Sequence, residues 1–365
     1  MNEVDYLVSK LEDTHPDLYR NYSKDKFCKE AERIKDSNYT DKKYKVALAK
    51  LLANLKDGHT TISFYTEVIF DLSFIDSKIY IIDDYKNNNS KYKYKYITKI
   101  NDVDISEVIK KVLEVIPNET DSWRNYVLCK QLLSKELLIG FGIVKDDFLI
   151  TLSDGSIVNY NNEIKKDNIK DYQYYENKMI NYNTYYVKYA TCNEIGNIVL
   201  KDWFNDILKT IRKHEISNII IDLRNNSGGN SSYFSEFFNS LKKEFGDKKY
   251  VCLINGGVFS SGCFALNDMI NLNATVIGNG PGSYMNHFGF TEVFRLPKSN
   301  ILVSCSNSEW ELKEGKYKRY KKGDVISDET KKRKVFEIDY KIDESIDDYI
   351  NNDDLYIKKA IEQFN

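Results

Sequence analysis

The sequence predicts an α/β protein of parallel strands joined by crossover helices, and three features of residues 218–278 predict it. The first is a set of short, unbroken apolar runs: Asn218 to Leu223, Tyr250 to Ile254 and Ala274 to Ile277. Such runs, rich in β-branched residues, mark strands buried on both faces. The second is the helical spacing between them, with Phe234, Phe237, Phe238 and Leu241 in one stretch and Phe264, Leu266, Met269 and Ile270 in the next. The third is a polar, glycine-bearing turn after each of the first two runs, Arg224 to Gly229 and Asn255 to Gly257. Strand, turn, helix, strand in this order implies right-handed crossovers and a parallel sheet. Sites in such sheets form beyond the carboxyl ends of the strands, where both glycine turns fall.

Ser260 sits where a tight strand-to-helix turn holds a hydroxyl out of the sheet, at the positive end of a helix. That is the mechanics of a nucleophile elbow, although the sequence is not G-x-S-x-G. An activated hydroxyl needs backbone amides aimed at the developing oxyanion. Gly228, Gly229 and the amide of Ser261 are the candidates, glycine because it admits unusual φ and close backbone approach. From these residues alone, a plain helix-capping role for Ser260 stays open.

The run Ile219-Ile220-Ile221-Asp222-Leu223-Arg224-Asn225-Asn226-Ser227-Gly228-Gly229 resembles the signature of the C-terminal processing (tail-specific) peptidases, in the superfamily that includes the tricorn protease core. Phe259-Ser260-Ser261-Gly262 resembles their nucleophile segment, and Ile277 to Gly289 the segment after it, with Asn279 where a Glu is usual. Leu55-Lys56-Asp57-Gly58-His59-Thr60 resembles their L-x-D-G-H-T motif. The resemblance implies a crotonase-like spiral catalytic domain. It implies a serine peptidase that hydrolyses peptide bonds through an acyl-enzyme, with Ser260 as nucleophile and His59 as general base. Imidazole, titrating near neutrality, is the usual partner of a serine nucleophile. His287, in the loop after the third strand, is the alternative base, with Asn286 beside it as a further site candidate. A serine–lysine dyad is disfavoured because residues 278–294 contain no lysine. The residue that orients the histidine is left unassigned among Glu309, Glu311 and Glu314. Two other readings stay open: a peptide-binding scaffold that kept the fold, and an acyl hydrolase of non-peptide substrates.

Along the chain, residues 1–62 read as an N-terminal helical region, 63–180 as a small α+β module and 181–365 as the catalytic domain. Val4, Leu7, Val8 and Leu11 mark a first helix, Phe27 to Ile34 a second and Tyr44 to Leu55 a third. His15, before Pro16, reads as a turn residue. Thr60 to Phe64 alternates like a strand. Tyr96 to Val112 resembles part of a PDZ-like fold, a type that binds chain ends by strand addition. Lys145 to Ile157 reads as a hairpin turning at Asp154-Gly155, Tyr172 to Asn183 as a linker, and Ser306 to Lys316 and Lys313 to Lys334 as polar surface.

The 365 residues carry a formal charge of −2, which gives no electrostatic reason to expect nucleic acid or an anionic membrane as partner. The partner expected is a peptide or protein substrate, with a homo-oligomer left open. No P-loop, G-x-G-x-x-G or H-E-x-x-H occurs, so no cofactor or metal is expected. Six scattered cysteines without a C-x-x-C read as reduced thiols, and an acidic N-terminus without an apolar core reads as cytoplasmic.

Overall fold

The apolar spacing of the first fifty-odd residues closes into three helices, α1 (Glu3–Thr14), α2 (Lys24–Lys35) and α3 (Asp41–Ala53). The computed structural model describes residues 2–66, 69–85, 90–160 and 172–364. Next come a hairpin, β1 (Phe70–Ile75) and β2 (Lys78–Asp84), then β3 (Ile97–Ile100) and β4 (Val103–Asp104). Helices α4 (Ile105–Leu113), α5 (Asp121–Gln131) and α6 (Lys135–Gly140) precede β5 (Phe148–Leu152) and β6 (Ile157–Tyr160). β3 to β6 form an antiparallel sheet in the order β4-β3-β5-β6.

The main sheet follows: β7 (Tyr175–Met179), β8 (Thr184–Tyr189), α7 (Leu200–Lys213), β9 (Asn218–Asp222), α8 (Ser232–Phe245), β10 (Lys249–Ile254), α9 (Ser261–Ile270) and β11 (Thr275–Gly278). Then come β12 (His287–Arg295), β13 (Leu302–Lys313), β14 (Lys316–Lys321), β15 (Tyr340–Lys341), α10 (Ile346–Ile350) and α11 (Leu355–Glu362). The six-stranded order is β15-β11-β10-β9-β8-β7, parallel throughout except for β7. The expected α/β core is therefore present. Side chains alternate across it: Ile219 and Ile221 pack with α7, α8 and α9, while Ile220 packs with Tyr356 and Ala360 of α11.

A second apolar core joins α1–α3, the helices and strands between residues 69 and 160, and Leu296, Ile301, Val303 and Cys305 around β12 and β13. The regions read as 1–62 and 63–180 thus share one core, and the antiparallel sheet β12-β13-β14 links it to the rest.

Three local readings differ. Thr60 to Phe64 is no strand; only Thr61 bridges to Ser304. The stretch read as a linker contains β7, an edge strand whose partner is β8. The polar stretches after Ser306 are β13 and β14, with Ser306, Ser308 and Glu309 buried. Polar side chains hid a buried strand there because each has a polar partner: Ser306 donates to Asp57 at 2.7 Å, Arg319 donates to Ser308 at 2.7 Å, and Arg20 grips Glu309 at 2.5 and 2.7 Å.

Arg224 fastens the last helix to the sheet. Its guanidinium donates to buried Asp222 at 2.6 Å and to Asp354 at 2.8 Å, and Asp354 caps α11 by accepting from the amides of Tyr356 and Ile357. Arg224→Ala would strand a buried carboxylate. It should lower unfolding free energy by about 3–5 kcal/mol in denaturant titrations.

Candidate active site

The turn between β10 and α9 presents Ser260 with φ 53° and ψ −124°, a backbone conformation rare for a side-chain-bearing residue. Two hydrogen bonds close it: Gly262 N–H donates to Phe259 O at 2.9 Å, and Cys263 N–H to Ser260 O at 2.8 Å. The amide of Phe259 donates to Asn226 O at 2.9 Å, which docks the turn on the loop after β9. A Cβ at Gly262 would come within 2.4 Å of that same Asn226 oxygen, so this position needs glycine.

The loop after β9 is shaped by its own asparagines. Asn226 donates to Tyr189 O at 2.8 Å and accepts from Gly228 N–H at 3.0 Å. Asn225 and Asn255 pair by two hydrogen bonds, 2.8 and 3.0 Å, locking the two loops together. Gly228, at φ 97°, lies so close that a Cβ would be 2.8 Å from Ser260 Cβ and 2.9 Å from Ser261 N. Gly229 follows at φ 130°, and its carbonyl accepts from the Ser261 hydroxyl at 2.7 Å. Of the three amides expected at an oxyanion site, that of Gly228 is committed to Asn226. The amides of Gly229 and Ser261 have no partner among the described residues.

His59 arrives from the N-terminal core. It lines the same cavity as Ser260, Ser261 and Gly229, a space of about 630 Å³. Its ring stacks on Phe259 at 4.3 Å, and Phe259 stacks in turn on Trp123 at 4.0 Å. Both ring nitrogens are buried and without a hydrogen-bond partner among the described residues. Burial lowers its pKa below the ordinary 6.5, with the nearby Asp57 charge opposing. Gly58 is pinched against Phe259 and Glu119, where a Cβ would sit at 2.8 and 2.5 Å.

Asp57 organises the motif. One carboxylate oxygen accepts from the amide of His59 at 2.9 Å. The other accepts from Thr60 Oγ1 at 2.5 Å, Ser306 Oγ at 2.7 Å and His15 Nε2 at 3.2 Å. Burial opposes its charge, yet these hydrogen bonds and the neighbouring histidines hold the carboxyl below the usual carboxylate range. His59 Nδ1 lies 3.8 Å from Asp57 Oδ1. Glu119, also buried, accepts from Gly58 N–H at 3.0 Å. Asp57, His59 and Glu119 place ligand-type atoms within 4.8 Å of one another. Asp57 is already saturated by hydrogen bonds, which suits a structural anion better than a cation ligand.

The other candidates fall elsewhere. His287 lies parallel to His59 at 6.2 Å, donates from Nδ1 to Tyr284 O at 3.0 Å, and does not line the Ser260 cavity; burial pushes it down to about 4. Asn286 pins the segment before β12, donating to Thr330 O at 3.0 Å and accepting from Leu312 N–H at 2.9 Å. Cys263 is buried in the core, which raises its thiol to about 12. Glu309 is engaged by Arg20, Glu311 by Tyr320 and Thr330 at 2.7 Å each, and Glu314 sits at a turn at φ 50°. None of these three carboxylates faces His59. The residue that does, Asp57, stands in the motif itself, two positions before the histidine.

With this geometry in hand, comparison with known proteins is informative. The Peptidase family S41 model matches residues 183–246, the segment from β8 through α8 that carries the asparagine–glycine loop. The fold is also that of the crystal structure of mature CPAF, at a TM-score of 0.70 and 10% identity, covering 98% of this chain and 95% of that one. Mature CPAF complexed with lactacystin matches equally, with a TM-score of 0.70, 10% identity, and coverage of 99% and 97%. No curated protein matches by sequence. One segment of the chain thus matches peptidase family S41, and the whole chain shares the fold of mature CPAF. Among the described residues, no helix is long and apolar enough to cross a membrane.

Two predictions test the local chemistry. Gly228→Ala should abolish activity while the protein still folds, because a methyl would press on Ser260 and the Ser261 amide. Far-UV circular dichroism with an activity assay checks both parts. Glu119 behaves oppositely to Asp57: burial first, then the Asp57 charge, raise it well above its ordinary 4.5, against Gly58 N–H and Arg333. Its protonated form is therefore the stable folded form, and stability is lost as pH rises through the folded pKa. Glu119→Gln should raise the melting temperature at about pH 8 and leave it unchanged near pH 4.

Proposed function

We propose that this chain hydrolyses peptide bonds by nucleophilic catalysis, with Ser260 as nucleophile and His59 as base. The observation that carries the reading is the strained Ser260 turn facing His59 across one cavity, beside two free amides. Strain at a single hydroxyl-bearing residue between a strand and a helix is a feature that function explains and packing does not. His59 is neutral near pH 7 because it is buried, so it is ready to accept the Ser260 proton. The Ser260 oxygen then bonds to the substrate carbonyl carbon. The amides of Gly229 and Ser261 receive the oxyanion, and His59 returns its proton to the leaving amine. Water repeats the sequence to release the acid. Asp57 orients His59 and stabilises the imidazolium; its separation from Nδ1 shortens to a hydrogen bond when substrate arrives. The spiral, crotonase-like form of the catalytic domain and a PDZ-like character for residues 63–180 belong to this reading. So does a peptide or protein as the substrate.

A fluorophosphonate probe tests it, since such a probe needs only an activated serine. Labelling should map to Ser260 and vanish in Ser260→Ala, and it should slow about 10²–10⁴-fold in His59→Ala. Undiminished labelling in His59→Ala would remove that residue as base. The acidic limb of kcat/KM should fall below the ordinary histidine value of 6.5, because burial lowers His59. Asp57→Asn should move that limb lower still and reduce kcat, since Asp57 is the group that raises the His59 pKa. A limb at or above 6.5 would contradict a buried, neutral base.

A further inference from the structure

The cavity beside Ser260 has one chemical character. Its apolar walls are Phe259, Phe264, Phe290 and Trp310, its polar lining is neutral hydroxyls, amides and His59, and no lysine, arginine, aspartate or glutamate lines it among the described residues. Phe290 is the unusual member. It sits mid-strand in β12 at φ 54°, a conformation disfavoured for a bulky side chain, while Gly289 and Thr291 on either side keep their pairing with Ser308 and Ser306. The backbone is thus twisted at one residue without a change of register. The result is a phenyl ring left 55% exposed at the mouth of the cavity. The ring is held there: the Arg319 guanidinium lies 3.7 Å over its centroid, and Arg319 is itself fixed by donating to Ser308 at 2.7 Å and Asn307 at 3.2 Å. Behind it, Phe264 meets Trp310 edge-on at 4.9 Å. A strained backbone that displays an aromatic ring in a site is a signal of function rather than of packing.

We infer that the cavity takes a large, uncharged apolar side chain of the substrate, at a position flanking the bond that Ser260 attacks, and that Phe290 selects it. This inference rests on the peptidase reading and adds its specificity. A charged side chain entering the cavity would lose its water and find no ionic partner in the lining, because Arg319 lies against the Phe290 ring and is held by Ser308 and Asn307, and that penalises it. An aromatic or branched aliphatic side chain would bury its surface against these aromatic rings.

Binding to the full chain carrying Ser260→Ala isolates recognition from chemistry. The probes are capped, fluorescent alanine–serine peptides that differ at one central residue: Phe, Leu, Gly, Asp or Lys. The Phe and Leu peptides should bind at least about tenfold more tightly than the Asp and Lys peptides, the scale on which apolar pockets discriminate. Adding Phe290→Gly should remove most of that preference. Glycine accepts the positive φ without strain, so this variant keeps the fold, and its melting temperature verifies that. Equal affinities, a preference for charge, no binding by any peptide, or a preference that survives Phe290→Gly would each overturn the inference. Fluorophosphonate labelling of the wild type separates the two levels. Label on Ser260 without an apolar preference sinks the specificity and leaves the peptidase. An apolar preference without label does the reverse.

Discussion

One buried carboxylate holds together the parts that make this site. Asp57 accepts hydrogen bonds from three separate regions: His15 at the end of α1, the 57–60 turn itself, and Ser306 on β13. A carboxylate taken out of water persists only when such donors surround it. The arrangement therefore ties the N-terminal helices, the histidine turn and the β12–β14 sheet into one frame. His59 is carried on that frame and Ser260 on the parallel sheet, and Phe259 is the point where the two meet, stacked under the imidazole.

The second constraint is closeness of backbone. At Gly58, Gly228 and Gly262 a single added carbon would collide with Glu119, Ser260 and Asn226 respectively. The loop after β9 and the turn after β10 approach each other far more tightly than side chains would allow. That closeness sets the amides of Gly229 and Ser261 beside the serine. The asparagines of the same loop hold it in shape, so the motif that resembles a catalytic signature is largely a scaffold for two amides.

Much of this was legible in the chain. The apolar runs of β9, β10 and β11 and the phenylalanine spacing of α8 are strong period signals, because a sheet covered on both faces must be apolar throughout. The runs that carry Ser260 and His59 were legible as motifs, and the structure brings both residues to one cavity. The continuation of β13 beyond Ser306 was not legible, since its buried Ser306 and Glu309 find their partners, Asp57 and Arg20, 249 and 289 positions away. Nor was the commitment of the Gly228 amide to Asn226, which is a matter of loop geometry two residues long.

The sequence by itself determined the parallel α/β core, the Ser260 turn and the histidine motif, because each is written in local periodicity or in a contiguous run. Only the tertiary structure decided what faces His59. Glu309, Glu311 and Glu314 each found other partners, and Asp57 took the place beside the imidazole. Tertiary structure also decided that His287 stands behind His59 rather than beside Ser260. The physical reason is range: hydrogen bonds and ion pairs depend on atoms brought within about 3 Å, and residues that meet so closely across this fold are as much as 296 positions apart in the chain.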